Sequence, residues 1–127
     1  MSITITSAPS TPAGLLTELK ADLGISGTDL DTRLTRMLDS AVLTVEQVTR
    51  RALFDQTIRL SIDAFPVGDI FVPRPPLQSV SSLVYVDNDG SSQTWASSNY
   101  DVDTDSEPGR VCPAYGVSWP STRSEKN

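Results

Sequence analysis

The sequence predicts an α+β fold: two N-terminal helices, one short and one long, followed by a small antiparallel β-sheet of hairpins. Three observations carry that prediction. Apolar residues recur at helical spacing from Leu15 to Val48, the period falls to two after Phe54, and clusters of Asp, Asn, Gly and Pro punctuate the rest of the chain. At 127 residues one hydrophobic core can form without metal or disulfide staples. The expected organisation is a flexible arm over 1–10, a single domain over 11–122 with helices in 11–51 and a β region in 54–113, and a tail over 123–127.

The arm is rich in Ser and Thr, and its brief alternation at Ile3 and Ile5 could add a strand to a neighbour. Thr11-Pro12 then opens the short helix: a Thr hydroxyl can cap orphan N–H groups, and Pro at the first helical position has no N–H to waste. Leu15, Leu16, Leu19 and Leu23 line one face. Gly24 supplies the left-handed stop, and Ile25 can fold back on Leu19.

Thr28 marks a second helix start, with Asp29 and Asp31 near the positive end of the dipole. Leu30, Leu34, Met37, Leu38, Ala41, Val45 and Val48 keep one stripe, while Arg33, Arg36, Asp39 and Glu46 lie off it. The pattern runs to about Arg51, which predicts a helix roughly 35 Å long. Arg50-Arg51 would then sit where cations favour the dipole.

From Gln56 to Asp63 Ile58, Leu60 and Ile62 alternate with polar residues, as in a half-buried strand. Ala64 to Asp69 reads as a turn and Ile70-Phe71-Val72 as a short strand. Pro73, Pro75 and Pro76 stop it, because proline removes a ladder donor and biases its neighbours toward extended geometry. Val80 to Val86 is the next strand, Asp87-Asn88-Asp89-Gly90 turns a hairpin, and Ser92 to Ala96 returns through Trp95. A last hairpin joins Tyr100-Asp101-Val102-Asp103 to Arg110-Val111-Cys112 through Ser106-Glu107-Pro108-Gly109, which completes a meander.

The candidate chemistry is sparse. The chain has no His and one Cys, so no Cys-His or Ser-His pair, imidazole metal ligand or internal disulfide can form. Asp101 to Asp105 begins like a calcium loop, but Ser106 stands where such a loop needs Gly and Cys112 where it needs Glu. Asp87 and Asp89 are read as turn residues rather than an acid-base pair. No Gly-Lys-Ser or Gly-Lys-Thr phosphate loop occurs. The expectation is therefore no enzyme, no catalytic residue, no cofactor and no metal. A net charge of −6 and a pI near 4.4 argue against a surface that grips phosphate backbones. Arg outnumbers Lys by eight to two, and Arg is the cation favoured at protein interfaces. No signal peptide is evident at the N-terminus and no apolar run is long enough to span a bilayer, which reads as a soluble protein with no membrane partner.

In order and spacing, several segments resemble the head-tail connector family of tailed bacteriophages and prophages, also called adaptor or head-completion proteins. They are Leu16 to Ile25, Ala41 to Leu53 with its Val45-Glu46-Gln47-Val48-Thr49-Arg50-Arg51 core, Pro73 to Val80, Val84 to Gly90, Asn99 to Asp103, and Gly116-Val117-Ser118-Trp119-Pro120. The resemblance covers about 11–122. It implies a non-enzymatic protein of the virion neck, made in the cytoplasm of a bacterial host and assembled as a homo-oligomeric, dodecameric ring. Such a ring docks beneath the portal protein of a filled capsid, meets a stopper or tail-completion protein, and passes DNA through its channel without specific binding. Proteins of this type continue past the Trp-Pro with another strand and a C-terminal helix, which is absent here. The expectation is that the stripe from Leu30 to Val48 stays partly uncovered, which predicts weak stability or self-association in isolation.

Charge and expected exposure nominate Arg33, Arg36, Arg50 and Arg51 as subunit contacts, with Arg74 and Trp119 as further interface candidates. For Trp119 a core position and an interface position are equally compatible with the sequence. Two other functions compete: a protein- or peptide-binding module using the proline-rich segment, and a metal-dependent enzyme using the Asp cluster.

Overall fold

The structure, a computed structural model, describes residues 1–9 and 11–123. Ser10 of the expected arm and 124–127 of the expected tail lie outside the described residues. The chain packs as two compact units, one of Ile5–Ile58 and one of Met1–Thr4 with Arg59 onward. The elements are β1 (Ser2–Ser7), α1 (Ala13–Leu23), α2 (Asp31–Thr49), β2 (Thr57–Ser61), β3 (Ile70–Phe71), β4 (Leu83–Val86), β5 (Ser92–Trp95), a 3₁₀ turn (Ser97–Asn99), β6 (Tyr100–Asp103) and β7 (Arg110–Pro113). Two N-terminal helices followed by antiparallel strands is the α+β architecture expected, and among the described residues no helix follows β7. The segment read as an arm forms a strand, and β1 joins β2 in a two-stranded sheet.

In the helical unit α1 begins at Ala13 with Pro12 as its flanking residue and no side-chain cap. Thr11, expected as that cap, instead donates its hydroxyl to Asp39 Oδ1 of α2. The stop forms as expected: Gly24 takes φ 66°, its N–H reaches Ala21 O at 3.2 Å, and Ile25 N–H reaches Lys20 O at 2.9 Å. These two bonds satisfy orphan carbonyls of the last turn. Helix α2 starts at Asp31, three residues later than expected, because Thr28 to Asp31 closes a separate turn in which Asp31 N–H meets Thr28 O at 3.1 Å. It ends at Thr49, where Arg50 adopts a left-handed φ of 56°. Its 19 residues span about 28 Å. Arg50 and Arg51 therefore follow the helix rather than occupy its last turn.

Only two α2 residues are buried, Leu34 and Glu46. Glu46, off the apolar stripe as expected, is nonetheless buried. At 1% exposure it is the most buried large side chain among the described residues. Its Oε1 accepts Leu53 N–H at 2.9 Å and Gln56 Nε2 at 3.3 Å, so the carboxylate ties down the chain just after the helix. Burying an acceptor is tolerable when it is hydrogen-bonded, and here it fixes the exit from α2.

The β unit builds on a three-stranded antiparallel sheet of order β3-β7-β6 and a β4-β5 hairpin. Both hairpin turns fall where the sequence placed them, though β4 begins at Leu83 rather than Val80; Leu83 lies opposite Trp95, Val86 opposite Ser92, Tyr100 opposite Pro113 and Asp103 opposite Arg110. Strand β3 departs from a simple meander, since Ile70 pairs with Val111 and Phe71 with Arg110. Trp95, Tyr100 and Val111 form the buried centre, with Ile70, Val72, Val80, Leu83, Tyr85, Val102, Val117 and Trp119 packed around it. The aromatic rings interlock: Phe65 stacks on Trp119 at 4.8 Å and Trp95 on Tyr100 at 5.8 Å, with Trp95 and Trp119 centroids 5.0 Å apart. Such geometries add to the area term of aromatic burial.

Both hairpin turns are held by an aspartate. Asp87 Oδ1 accepts N–H groups from Asp89 at 3.0 Å and Ser91 at 2.9 Å, and Oδ2 accepts Gln93 Nε2 at 2.9 Å. Asp103 does the same with Asp105 N–H, Ser106 N–H and Oγ, and Arg110 Nε at 2.9 Å. Gly109 is required for a different reason: a Cβ there would lie 2.4 Å from Leu77 Cβ. The residue after the proline segment thus packs directly on the second turn.

Candidate functional site

The feature of the helical unit that calls for a function is an apolar helix face with nothing over it. Successive helical residues turn by about 100°, so Leu30, Met37, Ala41 and Val48 fall along one line of α2, with Val45 beside it. All five are exposed, Met37 by 52% and Val48 by 79%. Leu34, between Ala41 and Val45 in angle, is buried, and Leu38, a little further round, is half-buried. A contiguous uncovered stripe of this kind marks an interaction surface more often than a solvent face.

Arg33 borders this stripe on its polar flank, about 60° round the helix, and Arg36 lies about 60° further on the same flank. Both are exposed, and neither forms an ion pair among the described residues. Arg50 is exposed about 25 Å away along the helix axis, and Arg51 is exposed beside it. The structure thus brings Arg33 and Arg36 together but not with Arg50 and Arg51. Arg74 is half-buried, with φ 62°. Trp119 belongs to the aromatic core, where its Nε1 donates to Gly68 O at 2.9 Å, the first of its two sequence readings.

The carboxylates of α2 lie away from the stripe and are engaged within the unit. Asp31 pairs with Lys20 at 2.6 Å, and Lys20 also donates to Gly27 O, which pins the start of α2 to the end of α1. Asp39 accepts from Thr11 and Glu46 from Leu53 and Gln56. A cavity of about 240 Å³ between Pro9, Val42, Leu43 and these last two carboxylates is mostly apolar in lining.

The other candidates resolve into structure. Pro73 and Pro75 are half-buried and Val80 joins the core cluster, so the proline segment is packed into the fold. Of the Asp cluster, Asp103 spends both oxygens on its own hairpin. Its carboxyl is held below the usual range by the Ser106 hydroxyl and N–H and by Arg110. Asp87 is lowered likewise, first by the Gln93 amide and then by Ser91 N–H. Arg110 is pushed further up by Asp103 and by Asp69 at 3.2 Å. Among the described residues no group of three or more His, Cys, Asp or Glu is placed to hold a metal ion, and no helix is long and apolar enough to cross a membrane.

Two N-terminal helices followed by antiparallel strands make a fold met in the necks of phage-related particles. The particular likeness is to chains from a gene transfer agent (GTA). A chain in the "neck of empty GTA particle computed with C6 symmetry" matches with a TM-score of 0.81 and 20% identity, and one in the "virion of native gene transfer agent (GTA) particle" with 0.78 and 22%. Each match covers 98% of this chain and 66% of the other, so this chain spans 66% of their length. At such identities the likeness is one of fold. No protein-family model matches the sequence, and no curated protein matches it.

The neck match corrects one expectation. A dodecameric ring was expected, whereas the matched neck was computed with C6 symmetry. Ring order is set by the turn between neighbouring subunits, about 60° for six-fold and about 30° for twelve-fold symmetry. That angle depends on how two surfaces meet and leaves no mark on the periodicity of one chain.

Proposed function

We propose that this chain is a non-enzymatic structural connector of the neck of a tailed-phage, prophage or gene-transfer particle. It forms a ring with six-fold symmetry beneath the portal, joins the filled capsid to the tail and lets DNA pass. Residues 11–122 act in that ring as one connector module, made in the cytoplasm of the bacterial host and incorporated into the virion neck. The observation that carries this reading is the match over 98% of the chain to a protein of a particle neck. The uncovered stripe of α2 supports it, because a ring subunit must keep apolar surface for its neighbours. The net charge of −6 suits a channel that should not hold DNA tightly. Arg33, Arg36, Arg50 and Arg51 serve as contacts to neighbouring subunits.

The test is deletion of the gene from a producing host, followed by electron microscopy of the particles. DNA-filled heads without attached tails, restored by the gene supplied in trans, are expected. Normal tailed particles from the deletion strain would overturn the reading.

A further inference from the structure

We infer that the occupant of the α2 stripe is α1 of a second copy of this chain, in a head-to-tail contact. The inference rests on the connector reading above and names the surfaces that meet. At the start of α2 and along it the exposed line Leu30, Met37, Ala41, Val48 presents apolar side chains, with Arg33 beside it and Arg36 further round the same flank. On α1 the side turned away from Leu15, Leu16 and Leu19 carries Ala13, Gly14, Thr17 and Ala21, all exposed. A Cβ added at Gly14 would meet nothing within 4 Å, so this side is open as well as small. Glu18 and Asp22 border it, both exposed and neither in an ion pair among the described residues.

The two faces are complementary in shape and in charge. Small residues on one helix admit the larger side chains of another into close contact. Arg33, with Arg36 further round, flanks the bulky face, and Glu18, with Asp22 further round, flanks the small one, an arrangement that steers and registers an interface. An α2-on-α2 contact fits less well. Asp31, Asp39 and Glu46, the carboxylates of α2, lie on its other sides and are engaged within the unit, so Arg33 and Arg36 would find no acidic partner there. A contact between two different faces of one chain is heterologous, and such a contact closes into a ring when the rotation permits.

The experiment uses two full-length variants, R33E/R36E and E18R/D22R, each checked for native helix content by circular dichroism. Self-association is measured by sedimentation velocity. Each variant alone should associate at least tenfold more weakly than the unaltered chain, because each now carries the same sign on both faces. An equimolar mixture should recover association, since the acidic stripe of one variant meets the basic α1 of the other. Loss in R33E/R36E but not in E18R/D22R, or loss in both without recovery on mixing, would overturn α1 as the occupant. If the unaltered chain forms rings and neither variant weakens them, the interface falls while the connector reading stands. An unaltered chain that stays monomeric at all concentrations also overturns the interface, and the connector reading is then decided by the deletion strain.

Discussion

The two units of this chain differ in how far they gather their apolar residues into a buried centre. The β unit builds a closed centre: Trp95, Tyr100 and Val111 are buried and Phe65, Tyr85 and Trp119 pack around them, while Val67, Phe71, Val84 and Tyr115 stay exposed at its surface. The helical unit buries one apolar residue of α2, Leu34, and leaves Met37, Val45 and Val48 exposed. Composition separates them as well: both Trp and all three Tyr lie in the β unit, whereas nine of the twelve Leu lie in the helical unit. The difference lies in who completes the core, the chain itself in one unit and a neighbour in the other.

The largest test of that contrast is Trp95→Ala. Removing a buried aromatic from an interlocked cluster costs about 3–5 kcal/mol in typical cores. A shift of that size in the denaturant midpoint of the β unit, read by tryptophan fluorescence, is expected. A loss below about 1 kcal/mol would show that the β unit is as incomplete as the helical one.

Next is Glu46→Ala, which removes the buried acceptor of Leu53 N–H and Gln56 Nε2. Leaving a buried donor unsatisfied costs about 1–3 kcal/mol. The effect should appear as a lower midpoint of the helical signal in circular dichroism, with the β unit's fluorescence transition unchanged. Equal shifts in both signals would mean that the units unfold together.

Glu46 also shows where reading the sequence stops. The helical period, the Gly24-Ile25 stop and the Asp87 to Gly90 turn are local, and local signals survive in one sequence. Glu46 sits off the apolar stripe, and spacing gives no sign of its burial, because the donors that justify it come from Leu53 and Gln56, beyond the helix. The end of α2 was placed at Arg51 because Arg50 takes a left-handed turn usually left to Gly or Asn. The β3-β7 pairing links Ile70 to Val111, and β1 pairs with β2; neither leaves a turn signature. At the candidate site the apolar stripe and Arg33 and Arg36 were legible from spacing. Trp119 was ambiguous because the sequence alone does not tell a core indole from an interface one.

The third test is acid. Asp87 and Asp103 have folded-state pKa values below the ordinary 3.8, so their ionised forms favour the folded hairpins. That contribution is fully present above the unfolded value and is lost as pH falls through the lowered folded values. Stability of the β unit should therefore decline below about pH 4, modestly because these groups are exposed. Asp103→Asn should flatten the decline, and an unchanged acid profile in that variant would place the dependence elsewhere.

The smallest effect on the fold is the most telling for the contrast. Val48→Ser changes a residue 79% exposed, so the stability of the isolated chain should move by no more than about 0.5 kcal/mol. The same change should weaken self-association measurably, because Val48 ends the line that a neighbour would cover. Trp95→Ala acts on folding first and on assembly only through it, whereas Val48→Ser separates the two. If Val48→Ser destabilised the monomer by more than about 1 kcal/mol, the stripe would be holding the chain's own fold. If it changed neither quantity, the stripe would be a solvent face, and the division between a self-sufficient β unit and a helical unit completed by its neighbours would fail at its weaker end.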